Sequence, residues 1–232
     1  MSIIFLSITT SSNVCAISIF NEDSIIDTII SKDEKTHSEK LLPLMKTIMD
    51  KNNIMFEDLN FIAIDVGPGS FTGIRIGLAT VKAISEAHNI PIVPITSLKA
   101  LSFNMDCAQH TAISLIDARN NQVYCHVYDQ INNKDLYIAD DIEKVLDYAY
   151  NYIKPGTTFV GDGSVIHKDL IKRKIGPSTI FSDYNSVSSE SLGFAAIRAY
   201  RKGEYVTADN AMPFYLRKSQ AERLKGKDND KS

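Results

Sequence analysis

Asp65-Val66-Gly67-Pro68-Gly69-Ser70-Phe71-Thr72-Gly73-Ile74-Arg75-Ile76-Gly77-Leu78 is the stretch whose reading decides the fold. It follows Phe61-Ile62-Ala63-Ile64, a short β-prone apolar run that reads as a buried strand. Gly67-Pro68-Gly69 breaks the strand, and Ser70 or Thr72 is the predicted N-cap of a helix running to about His88. Strand, glycine turn and helix N-terminus together can cradle an anion with backbone N–H groups. The spacing matches neither of the two standard glycine-rich nucleotide loops, so as a nucleotide motif it is weak. Gly69, Gly73 and Gly77 recur every fourth residue. A glycine inside a helix costs about 1 kcal/mol relative to alanine, and close approach of another backbone would offset that. The stripe can pack on the chain's own sheet, face a partner, or do both.

Working outward, the upstream residues predict two adjacent strands, Ile3 to Ile8 and Val14 to Phe20, joined by a turn at Ser11-Ser12-Asn13. A third strand is expected from Ser24 to Ile30. A mixed-charge run then leads into a helix over about 38–51, whose Leu41, Leu44, Met45 and Ile48 recur at helical spacing. Downstream of the glycine helix come a strand at 92–95 and a helix at 97–103. The pattern then restarts. A hairpin at 112–117 and 123–128, a short strand at 136–138 and a helix at 140–152 precede a strand at 158–160. That strand ends in Gly161-Asp162-Gly163-Ser164, again a strand followed by a glycine turn. A last helix is expected over 189–202.

With 232 residues the chain can bury one good core or two small ones, and 44% hydrophobic content with a net charge of -3 describes an ordinary globular protein. Twenty-five basic against twenty-eight acidic residues give no global footprint for nucleic acid. Cys15, Cys107 and Cys125 are odd in number and lack CxxC spacing, which indicates neither a disulfide framework nor a zinc site. The first residues lack a basic segment ahead of their apolar run, and no apolar run reaches membrane-spanning length. A reducing, cytoplasmic location is expected.

From Gly67 to Thr80 the sequence closely resembles the TsaB (YeaZ) family, a subunit of the bacterial machinery that makes threonylcarbamoyladenosine in tRNA. His37-Ser38-Glu39-Lys40-Leu41-Leu42-Pro43, Ile90 to Leu98, Asp117-Ala118-Arg119 and Pro213-Phe214-Tyr215-Leu216-Arg217 extend the resemblance over most of the chain. It implies an α/β fold of two tandem actin/hexokinase/Hsp70-like (ASKHA) βββαβα half-units, each a mixed sheet with helices. The expected limits are 1–103 and 104–212, with 213–232 a terminal segment ending in a charged, disordered tail. In this architecture the first hairpin and the glycine turn face a phosphate cleft, which makes Ser11, Gly67, Gly69 and Ser70 the phosphate-facing candidates.

The resemblance further implies a non-catalytic scaffold that docks two helices onto a TsaD-like catalytic subunit, joined by a TsaE-like ATPase. The pair transfers threonylcarbamoyl from an AMP-activated donor to a tRNA adenosine, so tRNA is met through the complex. The expected partner-binding residues are His37, Leu41, Leu44, Met45, Ile48, Gly73, Ile74, Gly77, Leu78 and Val81. Without the partner the same surface would form a homodimer. No intrinsic cofactor or metal is implied, while ATP or ADP at the subunit interface is compatible with the scheme.

The rival is a self-contained enzyme of the same fold, either a small ATP-dependent kinase or a metallopeptidase. Phosphoryl-transfer enzymes of this architecture carry an Asp in the first hairpin, and relatives commonly do too. Here that position is Thr9, which supplies no carboxylate. Asp117 holds the comparable place in the second half and reads as structural. No two of His37, His88, His110, His126 and His167 have the i, i+4 spacing of a helical metal pair. Cys125 and His126 point to opposite sides of a strand and cannot act together. No catalytic residue is expected.

Overall fold

The computed structural model describes residues 2–31, 37–104, 111–129 and 134–216. The run at 32–36, Cys107, His110, Arg217, the tail and the His37 side chain lie outside the described residues.

The first sheet has the order β3-β2-β1-β4-β5. β1 (Ile4–Thr9), β2 (Cys15–Asn21) and β3 (Ser24–Ser31) form an antiparallel meander. β4 (Phe61–Asp65) joins parallel to β1, and β5 (Ile92–Ile95) parallel to β4. α1 (His37–Lys51) and α2 (Phe71–His88) supply the crossovers, and a short α3 (Ser97–Leu101) follows β5. Ser70 caps α2 by accepting the Gly73 N–H at 3.2 Å. Asn89 ends it in the left-handed region at φ 54°, a conformation that asparagine tolerates.

The second sheet repeats the plan as β10-β9-β6-β7-β8. Its strands are β6 (Ala112–Asp117), β7 (Gln122–Asp129), β8 (Lys134–Asp141), β9 (Thr158–Val160) and the two-residue β10 (Ile180–Phe181). Reversed, this is the first sheet's order strand for strand, so the two βββαβα units are copies. α4 (Ile142–Ala149) takes the place of α1. It is shorter than expected, passing into a 3-10 turn over Tyr150–Tyr152. α5 (Asp162–Ile166) and α6 (Lys168–Ile175) together replace the single long α2.

α7 (Ser189–Arg201) departs from the expected division at 104–212. It returns to the first sheet and covers the face that α1 and α2 leave open. There Phe20, Phe5, Phe61 and Tyr200 stack in a row with centroid spacings of 4.8, 4.2 and 4.4 Å. Leu192, Ala195, Ala196 and Ile197 of α7 are buried against this layer. Ser7 Oγ donates to the Ser189 carbonyl at 2.6 Å, and Ser18 Oγ meets Ser189 Oγ at 2.7 Å, fixing the start of the helix. The chain after α7 stays with the first sheet: Val206 bridges Ile92, and Ala208 and Ala211 are buried in its core. A methyl group at Gly193 would enter the Phe20 ring. Gly193→Ala is therefore expected to cost about 1–3 kcal/mol, as overpacked cores do, measured by urea denaturation.

Candidate functional site

Asp65, at the C-terminal end of β4, is fully buried. Its carboxylate receives four hydrogen bonds. Thr9 Oγ1 donates to Oδ2 at 2.9 Å and Ser11 Oγ to the same oxygen, while Ser97 Oγ at 2.6 Å and the Gly67 N–H at 2.9 Å donate to Oδ1. The hairpin position that lacks its Asp is thus filled from the neighbouring strand, since Ile8 pairs with Ile64 and the next residues on each strand are Thr9 and Asp65. Burial raises the Asp65 pKa, and the four donors oppose that rise. A carboxylate has about four acceptor positions. All are used inside the chain, so the geometry offers a metal–nucleotide no open carboxylate oxygen at this point.

The same loop is bolted to α2. Ser70 N–H donates to the Ser11 carbonyl at 2.6 Å, and Thr10 Oγ1 donates to the Gly73 carbonyl at 2.8 Å. Of the phosphate-facing candidates, Gly67 and Ser70 therefore spend their N–H groups on Asp65 and Ser11, and a Cβ at Gly69 would strike the Ser11 backbone. A Cβ at Gly73 would collide with the Thr10 carbonyl oxygen, and one at Gly77 with the Thr10 hydroxyl. The glycine stripe packs on the chain's own first hairpin.

The side chains expected at a partner surface are placed accordingly. Leu41, Met45, Ile48, Leu78 and Val81 belong to the core cluster between helices and sheet, Ile74 is buried, and Leu44 is half-buried beside that core. Helical spacing marks a buried stripe without saying what buries it, and here the first sheet does. The outward face of α2 is instead Thr72, Arg75, Ile76, Ala79, Thr80 and Ala83, all exposed or half-buried, and α1 adds Leu42, Pro43 and Lys46. Small side chains at Thr72, Ala79, Thr80 and Ala83 alternate here with larger ones at Arg75, Ile76, Leu42 and Lys46.

A second polar cluster, not foreseen from the sequence, joins the lobes. His126 on β7 is fully buried between α3 and the second sheet. Its Nδ1 lies 3.2 Å from Ser102 Oγ, its Nε2 hydrogen-bonds Asp135, and its ring stacks on Tyr137 at 4.4 Å. Lys99 Nζ on α3 donates to Asp135 at 2.7 Å, and the Tyr137 hydroxyl meets Thr96 at 3.0 Å. Ser102, His126 and Asp135 have the connectivity of a hydrolytic triad. Yet Ser102 is fully buried and also bonded to Ser114 Oγ at 2.8 Å, so no substrate reaches it. The cluster is a joint.

Burial lowers the His126 pKa, and Lys99 adds to that against the pull of Asp135. A histidine whose folded pKa lies below its unfolded value, about 6.5, loses stability as pH falls through that range. The His126 contribution to the unfolding free energy should therefore drop between pH 7 and 5, by at most about 1.4 kcal/mol per pH unit for one proton. Urea titrations of the wild type and His126→Gln would show it as a slope that the variant lacks.

Cys125 lies in the core on the opposite side of β7, its thiol pushed up to about 12 by burial, and Cys15 is pushed up to about 11 for the same reason. Neither is an activated nucleophile. Among the described residues no group of three or more His, Cys, Asp or Glu side chains could hold a metal ion. His88 sits 3.1 Å from Glu57 on the surface. No described helix is long and apolar enough to cross a membrane.

Two lobes that repeat one βββαβα sheet around a buried interlobe joint define a protein of the actin/hexokinase/Hsp70 architecture. The family model TsaD, tRNA N6-adenosine threonylcarbamoyltransferase, matches residues 25–225. The chain is 38% identical over 221 residues to the tRNA threonylcarbamoyladenosine biosynthesis protein TsaB of Buchnera aphidicola subsp. Baizongia pistaciae, covering 91% of this chain and 96% of that one. TsaB of Bacillus subtilis is 28% identical over 223 residues, 94% and 95% of the two chains. The solved structure of YeaZ from Pseudomonas aeruginosa superposes with a TM-score of 0.76 at 23% identity, covering 92% of this chain and all of that one. The chain belongs to the TsaB family.

Proposed function

We propose that this chain is the non-catalytic subunit of a cytoplasmic complex that transfers threonylcarbamoyl from threonylcarbamoyl-AMP to the adenosine 3′ of the anticodon in tRNA. It acts by pairing with a TsaD-like catalytic subunit, with a TsaE-like ATPase as third member, and it pairs with itself when alone. The observation that carries this is the surface of α2. The small residues Thr72, Ala79, Thr80 and Ala83 flank Ile76 in an outward stripe on a helix anchored from beneath through Thr10 and Ser11. Small side chains let a second helix approach closely, and a rigid backbone lowers the entropy lost on docking. Any nucleotide of the complex would sit at the subunit interface, because the Asp65 oxygens are spent internally.

The test is the solution mass of the chain alone and mixed with its TsaD-like partner. A mixed-subunit species should form, and Ala79→Arg should weaken it at least about 100-fold, as steric and charge conflict in the centre of an interface does. Its melting temperature should stay within about 2 °C, since surface substitutions rarely exceed 0.5 kcal/mol. An unaltered affinity would remove α2 from the interface. ATP or peptide turnover by the isolated chain would favour the self-contained enzyme.

A further inference from the structure

Beside the His126 joint lies a cavity of about 300 Å³, and none of its described lining residues is on α2. Its floor is apolar, made by Ile95 of β5, Ala199 in the last turn of α7, and Val206. Lys99 of α3, Tyr137 of β8, Glu204 and Tyr205 supply the walls, so both lobes contribute. The backbone carrying these walls is fixed. Gly203, at φ 78°, ends α7, and the Gly203 and Glu204 N–H groups donate to the Tyr200 and Ala199 carbonyls at 2.9 and 3.0 Å. Val206 exchanges both backbone hydrogen bonds with Ile92, at 2.8 and 2.9 Å. Opposite, the Tyr137 hydroxyl meets Thr96 Oγ1 at 3.0 Å. A preformed concave wall spares a ligand the entropy of ordering it.

Two charged side chains line this cavity, and they are not equivalent. Lys99 Nζ is paired with Asp135 at 2.7 Å, and its side chain is 18% exposed. The Glu204 carboxylate and the Tyr205 hydroxyl have no hydrogen-bond or ion-pair partner among the described residues. The C-terminal end of α7 adds negative potential. The two arginines of its last turn are engaged elsewhere, Arg198 over the Phe103 ring and Arg201 on Asp23. The half-exposed Tyr205 ring offers a π-face. Carboxylate, ring face and helix end all attract a cation, and the floor suits an aliphatic stem. Lys99 disfavours a second positive charge on that stem.

We propose that this cavity binds a small aliphatic amine carrying one positive charge. Its ammonium rests on Glu204 and the Tyr205 ring, and its stem covers Ile95, Ala199 and Val206. The site is separate from the α2 face and does not depend on the subunit reading.

The experiment titrates n-butylammonium chloride into the full chain at constant ionic strength and follows backbone amide chemical shifts. The shifts should saturate and cluster at 94–99, 137 and 199–206. Glu204→Gln should weaken binding about tenfold, the scale of a hydrogen bond to a charged group. Tyr205→Ala should weaken it about two- to fivefold, as an exposed cation–π contact does. Butyrate, with the opposite charge at the end of a similar stem, should give no saturating shift, and putrescine should bind more weakly than butylammonium. Glu204→Gln alters one exposed side chain and should keep the wild-type melting temperature within about 2 °C. Equal affinity of wild type and Glu204→Gln would overturn the proposal. So would shifts that grow linearly with amine or scatter over the surface carboxylates, which is an ion atmosphere and not a site. Tighter binding of Nα-acetyl-lysine methylamide than of butylammonium would overturn it too, giving the cavity to a lysine side chain of another protein.

Discussion

Asp65→Ala is expected to lower the unfolding free energy by about 3 kcal/mol, the range for stranding buried donors, and to lower the urea midpoint accordingly. Removing the carboxylate leaves the Thr9, Ser11 and Ser97 hydroxyls and the Gly67 N–H pointing into a dry space. Thr9 and Ser11, 3.2 Å apart, can satisfy one another in part, but Ser97 and Gly67 lose their acceptor. Asp65→Asn separates charge from hydrogen bonding. The amide keeps one acceptor oxygen, and its NH₂ can donate to hydroxyls that turn round, so a loss of about 1 kcal/mol is expected on the same scale. The pH dependence has a definite sign. Because burial raises the Asp65 pKa, the folded state binds its proton more tightly than the unfolded chain does. That contribution is complete below the unfolded value, about 3.9, and is lost as pH rises through the folded pKa. Wild type should therefore lose stability relative to Asp65→Asn over that interval. A constant difference between them would mean that the cage holds a carboxylate of unperturbed pKa.

Much of the fold is written locally. The glycine turn, Ser70 as N-cap and the limit at His88 follow from neighbouring residues, and so does the repeated strand order, because hairpins and glycine turns recur in both halves. What was not legible depends on pairs far apart in the chain. Asp65 stands in the quoted stretch, but its hydroxyl partners lie 54 and 56 residues before it and 32 after it. A charged residue closing an otherwise apolar strand was the available signal. The same limit explains α7. Its small-residue face predicts close packing, yet nothing in the periodicity says which of two similar sheets receives it. Leu41 and Val81 show the converse, since helical spacing predicts an apolar stripe of the kind a partner covers and here the chain's own sheet covers it. The joint at His126 draws on β7, β8 and α3, and no local pattern announces that convergence.

Gly73→Leu is expected to prevent stable folding, not merely to weaken association. The Thr10 carbonyl occupies the space that even a methyl group would need, and this obstacle is backbone, which cannot rotate aside. Thr10 is held there on both sides: its own hydroxyl donates to the Gly73 carbonyl, and the next residue's carbonyl accepts from Ser70. To admit a Cβ, α2 must lift from the first hairpin, breaking both bonds and opening the Asp65 cage below. Alanine there should cost at least the 1–3 kcal/mol of an overpacked core, and leucine several times the added volume. Against a total stability of about 5–15 kcal/mol, the leucine variant should be recovered mainly as insoluble chain. At Gly77 the obstacle is the Thr10 hydroxyl, so Gly77→Ala with Thr10→Ala, which removes that oxygen, should recover part of the stability lost by Gly77→Ala alone. No such rescue is available at Gly73. If Gly73→Leu instead proved soluble, with the wild-type melting temperature and no affinity for the TsaD-like subunit, the glycine stripe would be a docking surface, and Thr10 would have to move on binding. Loss of folding, with Ala79→Arg still folded but unable to pair, would divide α2 into an inner face that builds the lobe and an outer face that recruits the partner.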